Sequence, residues 1–266
     1  MKLMKNILGR GPIMRVLVGC CGIPVSRKRY FETFKLVELQ NTFYDLPTDE
    51  WAKRFRTEVP SDAIITVKAW QAITHPSTSP TWKRMKHKPP GNLENYGFLR
   101  PTRENLEAWD RTLHIARILN AKAVVFQTPP SFRFSEENLR NVVEFFKTIY
   151  LKDLLLCWEP RGDWNQHREA LRKVVELGII HVVDVLKHDP VMDSCQVLYT
   201  RLHGLGKGEV NYKYKYTDDD LRRLVEKITS FSSINEAYVL FNNVYMFYDA
   251  QRFRDLARSL GITDII

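Results

Sequence analysis

Short apolar runs alternate with amphipathic stretches along nearly the whole chain. The apolar runs fall at 15–20 (RVLVGC), 35–40 (KLVELQ), 63–69 (AIITVKA), 121–127 (AKAVVFQ), 154–159 (LLLCWE), 179–186 (IIHVVDVL), 197–204 (VLYTRLHG) and 237–243 (AYVLFNN). Each holds β-branched or aromatic residues and is too short for an ordinary helix, so each predicts a strand. Most are apolar at nearly every position, the pattern of parallel strands covered on both faces. Between them, 49–59, 102–120, 136–151, 165–178, 217–228 and 249–261 repeat apolar residues at three- and four-residue steps, with 26–34 as a shorter helix candidate. The end signals agree: Thr217 and Asp220 have capping-box spacing, and Gly178 and Gly261 stand where helix C-caps belong.

Eight strand and seven helix candidates in alternating order predict an α/β fold, a (β/α)₈ TIM barrel in a single domain. The competitor is a doubly wound open sheet. That fold favours a glycine-rich turn after an early strand, and GCCGIP after the first run does not match GxGxxG. Two irregularities are expected. Only KHDPVMDSCQ separates strands six and seven, so the helix there is missing or short. After strand three, 70–101 is a long polar insertion. Residues 1–14 read as an N-terminal extension and 15–266 as the barrel domain.

Composition narrows the setting. With 44% hydrophobic and 27% charged residues in 266, a disordered or collagenous chain is excluded. Cys20 and Cys21 are adjacent, while Cys157 and Cys195 stand alone, so neither a disulfide framework nor zinc-ribbon spacing exists. A reducing cytoplasm is the expected location. No run approaches the roughly 20 apolar residues of a membrane span, so no membrane partner is expected, and MKLMKNILGRGP lacks the apolar core of a signal peptide. Forty Lys and Arg against 31 Asp and Glu leave +9, which directs attention to polyanions: nucleic acid, an acidic surface or a phosphorylated metabolite. The 82–103 segment interleaves cations with Trp82, Tyr96 and Phe98, a mixture suited to phosphate attraction plus base stacking. Its alternative is a solvated loop with the aromatics pinned to the barrel.

A barrel of this kind takes its functional side chains from the C-terminal ends of its strands. Those ends carry Glu38 and Asn41, Lys68 and then His75, Gln127, Glu159 with Arg161, Asp184, Arg201 with His203, and Asn242 with Asn243. Polar groups crowding one end of apolar strands cost desolvation energy unless paired, so they mark a site or a buried ion-pair network.

These ends resemble those of a known family. VELQNTFYDLP (37–47) resembles VExNxTFYxLP, VKAWQAITH (67–75) matches VKAxxxITH, and FQTPPSF (126–132) is close to FQLPPSF. WEPRGDW (158–164) is similar to EFRHxSW, YTRLHG (199–204) to YxRLHG, and YVLFNN (238–243) to YVFFNN. The family is the domain of unknown function 72, also called YecE-like, and the resemblance runs from about residue 15 to 260. It implies a TIM barrel and no established reaction, and it carries the family's polar set onto the strand-end residues named above. The chain departs from the family where GTSGWxY becomes GCCGIPV and where FNNHxxGxAxxNA becomes FNNVYMFYDA.

Three functional readings follow. The first is a hydrolase or lyase of phosphodiesterase or nuclease type acting on a phosphate-bearing substrate, with nucleic acid as the leading candidate. Lys68, Arg161 and Arg201 would hold phosphate, assisted by Asn41, His75, Gln127, Asp184, Asn242 and Asn243. Glu159 would be the ionised base, Glu38 the acid in its more apolar strand, and His203 a proton shuttle. The second adds a divalent metal on His75, His203, Glu38, Glu159 or Asp184. No HxH or HExxH spacing supports it, and three cations would repel the ion. The third is a non-catalytic barrel that binds nucleic acid or a metabolite. No cofactor is assigned.

Overall fold

The computed structural model describes residues 14–192 and 196–266. The extension read at 1–14 lies, but for Met14, outside them, as does Cys195. At the centre are eight parallel strands: β1 (Arg15–Cys21), β2 (Leu36–Leu39), β3 (Ile64–Lys68), β4 (Ala123–Gln127), β5 (Leu155–Glu159), β6 (Ile180–His181), β7 (Val197–Leu202) and β8 (Glu236–Phe241). Their order is β6-β5-β4-β3-β2-β1-β8-β7. A parallel bridge between Val183 and Thr200, with Arg201 N donating to Val183 O at 3.1 Å, joins the two ends of this order. The sheet is therefore a barrel, and the open-sheet alternative falls.

The predicted helices appear within three residues at either end. They are α1 (Arg27–Thr33), α3 (Asp49–Glu58), α5 (Arg103–Ile118), α6 (Glu136–Ile149), α7 (Arg168–Val175), α8 (Asp218–Thr229) and α9 (Met246–Ser259). The Thr217–Asp220 capping box starts α8 as its spacing implies, and Thr48, Thr102 and Ser135 cap α3, α5 and α6. Single-turn helices α2 (Asn41–Tyr44) and α4 (Gln71–Thr74) follow β2 and β3. Four residues are too few to show a helical period in sequence. No helix among the described residues is long and apolar enough to cross a membrane.

Among the described residues no helix lies between β6 and β7, as expected. The strand is shorter than the 179–186 run predicts. Past the single bridge, Val185 N donates to the Thr200 side chain, and the chain turns with Lys187 and His188 N–H groups on the Asp184 carbonyl. The 70–101 insertion folds against the barrel. Its aromatics do not face solvent. Trp82 is buried and donates to His75 O at 3.0 Å, Tyr96 is buried and donates to Pro90 O at 2.6 Å, and Phe98 stacks on Phe132 at 5.1 Å. The base-stacking expectation for these three rings is overturned, because burying large rings is worth more than exposing them. Lys83, Arg84, Lys86 and Lys88 stay exposed.

Two apolar cores follow from strand alternation. Leu17, Leu36, Val125, Cys157, Val182, Tyr199 and Leu240 fill the barrel interior. Phe126, Trp158, Val239 and their neighbours pack outward against the helices, where Phe126 meets Phe146 edge-on at 5.3 Å. Residues two apart share a face, so the interior register can be extended past each strand's last apolar residue.

Candidate functional site

That extension places the site. Two residues beyond Leu36, Thr66, Val125, Cys157, Val182, Tyr199 and Leu240 stand Glu38, Lys68, Gln127, Glu159, Asp184, Arg201 and Asn242. All sit at the C-terminal ends of parallel strands, hence around one mouth. Gly204 shapes the loop that follows. Its φ is +81°, and a Cβ there would lie 2.1 Å from Asn211 O, so only glycine fits behind His203.

Arg201 is the hub and is 0% exposed. Its Nη2 meets Glu38 Oε1 at 2.8 Å, and its Nη1 meets Glu159 Oε2 and donates to Gln127 Oε1 at 3.1 Å. Glu38 is also wholly buried, and both of its oxygens are engaged. Oε1 takes Arg201 and the Gln40 amide, while Oε2 accepts the Tyr199 hydroxyl at 2.7 Å. Thr66 holds that hydroxyl from the other side at 2.8 Å. Glu159 Oε1 is shared by Arg161 Nη2 at 2.6 Å and His203 Nε2 at 2.9 Å. Asn242 Nδ2 lies 3.1 Å from His203 Nδ1. An amide donor there makes Nδ1 the acceptor, which puts the ring proton on Nε2 and aims it at Glu159. Arg161 Nη2, 2.9 Å from that same Nε2, is then left to the carboxylate alone.

The electrostatics separate the roles. Burial alone would raise Glu159, but the charges of Arg161 and Arg201, then His203, overcome it and hold the carboxyl well below its usual range. Burial pushes His203 down to about 4 despite Glu159, so the ring is neutral at pH 7. Asp184 goes the other way. Burial raises it to about 6, although the N–H groups of His203 and Leu186 donate to its two oxygens at 3.2 and 3.1 Å. The sequence expectation puts the acid at Glu38. Glu38 is sealed between a guanidinium and a hydroxyl, and the mouth carboxyl that burial raises is Asp184.

Lys68 is the exception at the mouth. It is 8% exposed, and its ammonium lies 3.9 Å from the centroid of the Phe43 ring. Among the described residues this ammonium makes no hydrogen bond or ion pair. Burial, followed by the Arg201 charge, lowers it to about 7, with Glu159 and Glu38 pulling back only in part. His75 sits beside it, edge-on to Phe43 at 5.0 Å and 2.8 Å from Thr74 Oγ1. Burial and the Lys68 charge push His75 down to about 3.

Two of the expected site residues are not brought in. Asn41 is exposed at the start of α2, with no side-chain hydrogen bond to the described residues. Asn243 donates to Tyr214 O at 2.7 Å and Asp249 Oδ2 at 2.8 Å, so it braces the end of β8 to α9. Among the described residues no group of three or more His, Cys, Asp or Glu is placed to hold a metal ion, and arginines already engage Glu38 and Glu159. Sequence reasoning missed Gln40, Phe43, Tyr199 and Glu209. Tyr199 had a signal, standing two residues before Arg201 on the interior register. Glu209 had none: it reaches back from a loop to accept from Gly162 N at 2.7 Å and to stand 3.9 Å from Arg161.

Comparison with known proteins bears on the fold and family. No curated protein matches the sequence. A protein of Thermotoga maritima described as of the DUF72 family is 23% identical, with a TM-score of 0.66 over 92% of this chain and 99% of that one. A second protein so described, from Enterococcus faecalis, is 19% identical, with a TM-score of 0.65 over 93% and 98%. A xylose isomerase domain containing protein of Salmonella typhimurium shares the fold at 14% identity and a TM-score of 0.57, over 95% and 98%. The sequence pattern described as protein of unknown function DUF72 matches residues 26–264, and the chain belongs to that family.

Proposed function

We propose that the barrel mouth is the active site of an enzyme of hydrolase or lyase type that acts on a phosphate-bearing substrate, with nucleic acid as its leading class. One observation carries the reading: Lys68 is the mouth cation without a hydrogen bond or ion pair among the described residues, while Arg201 and Arg161 are held by carboxylates. A buried unpaired ammonium is costly, and an anion set against it removes that cost. Substrate phosphate binds at Lys68 and stabilises its ammonium form, which takes its remaining proton from solvent. Asp184 supplies the proton-transfer group, since a carboxyl near 6 can both give and take a proton at neutral pH. Neutral His203, oriented by Asn242 and Glu159, passes protons along the same wall. Glu159 stays ionised and stabilises positive charge that develops there.

The test uses sulfate and inorganic phosphate as probes. Either should raise the melting temperature over chloride at matched ionic strength, and Lys68→Met should abolish the gain. Turnover is then sought with mono- and bis-p-nitrophenyl phosphate and with oligonucleotides. No protection by either anion rejects the anion pocket. Protection without turnover of any ester favours the non-catalytic binding barrel, a reading that the saturation of Glu38 by Arg201 and Tyr199 also suits.

A further inference from the structure

Seven large hydrophobic side chains stand exposed among the described residues, and five of them gather in one place. Val210 and Tyr212 lie in the loop after β7, and Val244, Tyr245 and Tyr248 in the loop and first turn after β8. Val244 is 68% exposed and Tyr248 52%. The two segments touch, with Val244 N donating to Tyr212 O at 2.7 Å. Scattered surface apolar residues need no explanation, whereas a concentration of this kind marks a binding surface.

Cations stand over the rings. Lys215 Nζ is 5.6 Å from the centroid of Tyr245, and Arg29 Cζ is 5.8 Å from that of Tyr248. Lys213 is exposed beside Tyr212. Of the acidic side chains nearby, Glu209 is held by Gly162 N and Arg161, and Asp218 by Arg252. At its inner end the strip reaches the mouth, where the Tyr212 ring lies 6.1 Å from His203.

Exposed tyrosine faces beside cations suit one ligand chemistry closely. Each base of a single strand offers a flat face for stacking, and each phosphate a charge for Lys or Arg. A duplex keeps its base faces stacked inside. We propose that Tyr212, Tyr245 and Tyr248, with Arg29, Lys213 and Lys215, form a track that leads single-stranded nucleic acid to the mouth. This rests on the phosphate-bearing substrate reading and extends it. It also moves the nucleic-acid surface away from the 82–103 segment, whose aromatics are packed against the barrel.

Fluorescence anisotropy with a labelled oligo(dT) of about 12 nucleotides tests the track, since a site of this type covers roughly 4–16. The wild type should bind the single strand about tenfold or more tightly than a duplex of equal length. Tyr245→Ala with Tyr248→Ala should weaken binding about tenfold or more, since each stacked ring contributes that order of affinity, without changing the salt slope. Lys213→Gln with Lys215→Gln should flatten the salt slope by about 1.4. All four residues are exposed, so an unchanged melting temperature confirms that the variants fold. Undiminished binding in the tyrosine variant overturns the track, as does equal affinity for duplex. Concentration-dependent self-association that the tyrosine variant loses also overturns it, making the patch a protein interface. Oligonucleotide binding absent at low salt, with sulfate protection intact, overturns the track and leaves the mouth reading standing.

Discussion

Replacing Lys68 by Met should make the protein more stable, and the size of the effect should depend on pH. Burial and the Arg201 charge hold the Lys68 ammonium at about 7 in the fold, against an ordinary 10.5. The unfolded chain keeps a proton that the fold rejects. Lys68 therefore subtracts from stability, fully so below the folded value, and the loss vanishes as pH rises through 10.5. A gap of about 3.5 pH units at ~1.36 kcal/mol each gives a cost near 5 kcal/mol below pH 6, roughly 4 at pH 7 and about 2 at pH 9. Methionine fills a similar volume without charge and forfeits about 1 kcal/mol of cation–π contact with Phe43. Urea denaturation of both proteins at pH 6, 7, 8 and 9 measures the difference. The variant should be the more stable at pH 7, and its advantage should shrink by about 2 kcal/mol between pH 7 and pH 9. Parallel curves across that range, or a variant less stable at pH 7, would refute the reading of Lys68 as a buried, unpaired ammonium.

Three further substitutions probe the mouth. Glu159→Gln leaves Arg161 and Arg201 short of a countercharge, costing about 3–5 kcal/mol in a melt, and removes the charge that steadies the transition state, lowering turnover roughly 10²–10³-fold. Unchanged activity per folded molecule in that variant would remove Glu159 from the chemistry. Asp184→Asn should gain on the wild type by about 2 kcal/mol between pH 4 and pH 7. The native carboxyl, raised by burial to about 6, lends stability when protonated and loses it as pH climbs through that value. Equal pH slopes for the two proteins would place Asp184 in water. Tyr199→Phe removes the hydroxyl between Thr66 and Glu38 and should cost about 1.5–3 kcal/mol in a denaturation curve. A neutral result would mean that Glu38 finds a replacement donor.

The barrel and most of its mouth were legible because both depend on strand alternation. Apolar runs in parallel strands announce themselves, and the polar residue ending each run continues the interior register, as Glu38 continues Leu36 and Arg201 continues Tyr199. What alternation does not encode is pairing across the barrel. Nothing in VELQ says that Glu38 meets Arg201, so its burial was legible while its saturation was not. Asn243 was misplaced because the register alternates: beside inward Asn242 it turns to α9 and Asp249. The 82–103 aromatics misled for a different reason. Composition cannot tell a ring displayed between lysines from one buried beneath them, and the exposed tyrosines near the mouth lie instead at Tyr212, Tyr245 and Tyr248.

If an anion completes the mouth by charging Lys68, its binding must draw in a proton. Sulfate does not titrate near neutrality, so its binding can be followed by calorimetry at pH 7 in buffers of different ionisation enthalpy. Lys68 at about 7 is half-protonated there, and an anion beside it completes the charge. The wild type should take up about half a proton per sulfate bound, and Lys68→Met none. Sulfate that binds the wild type with no proton uptake, or binds both proteins alike, would contradict it.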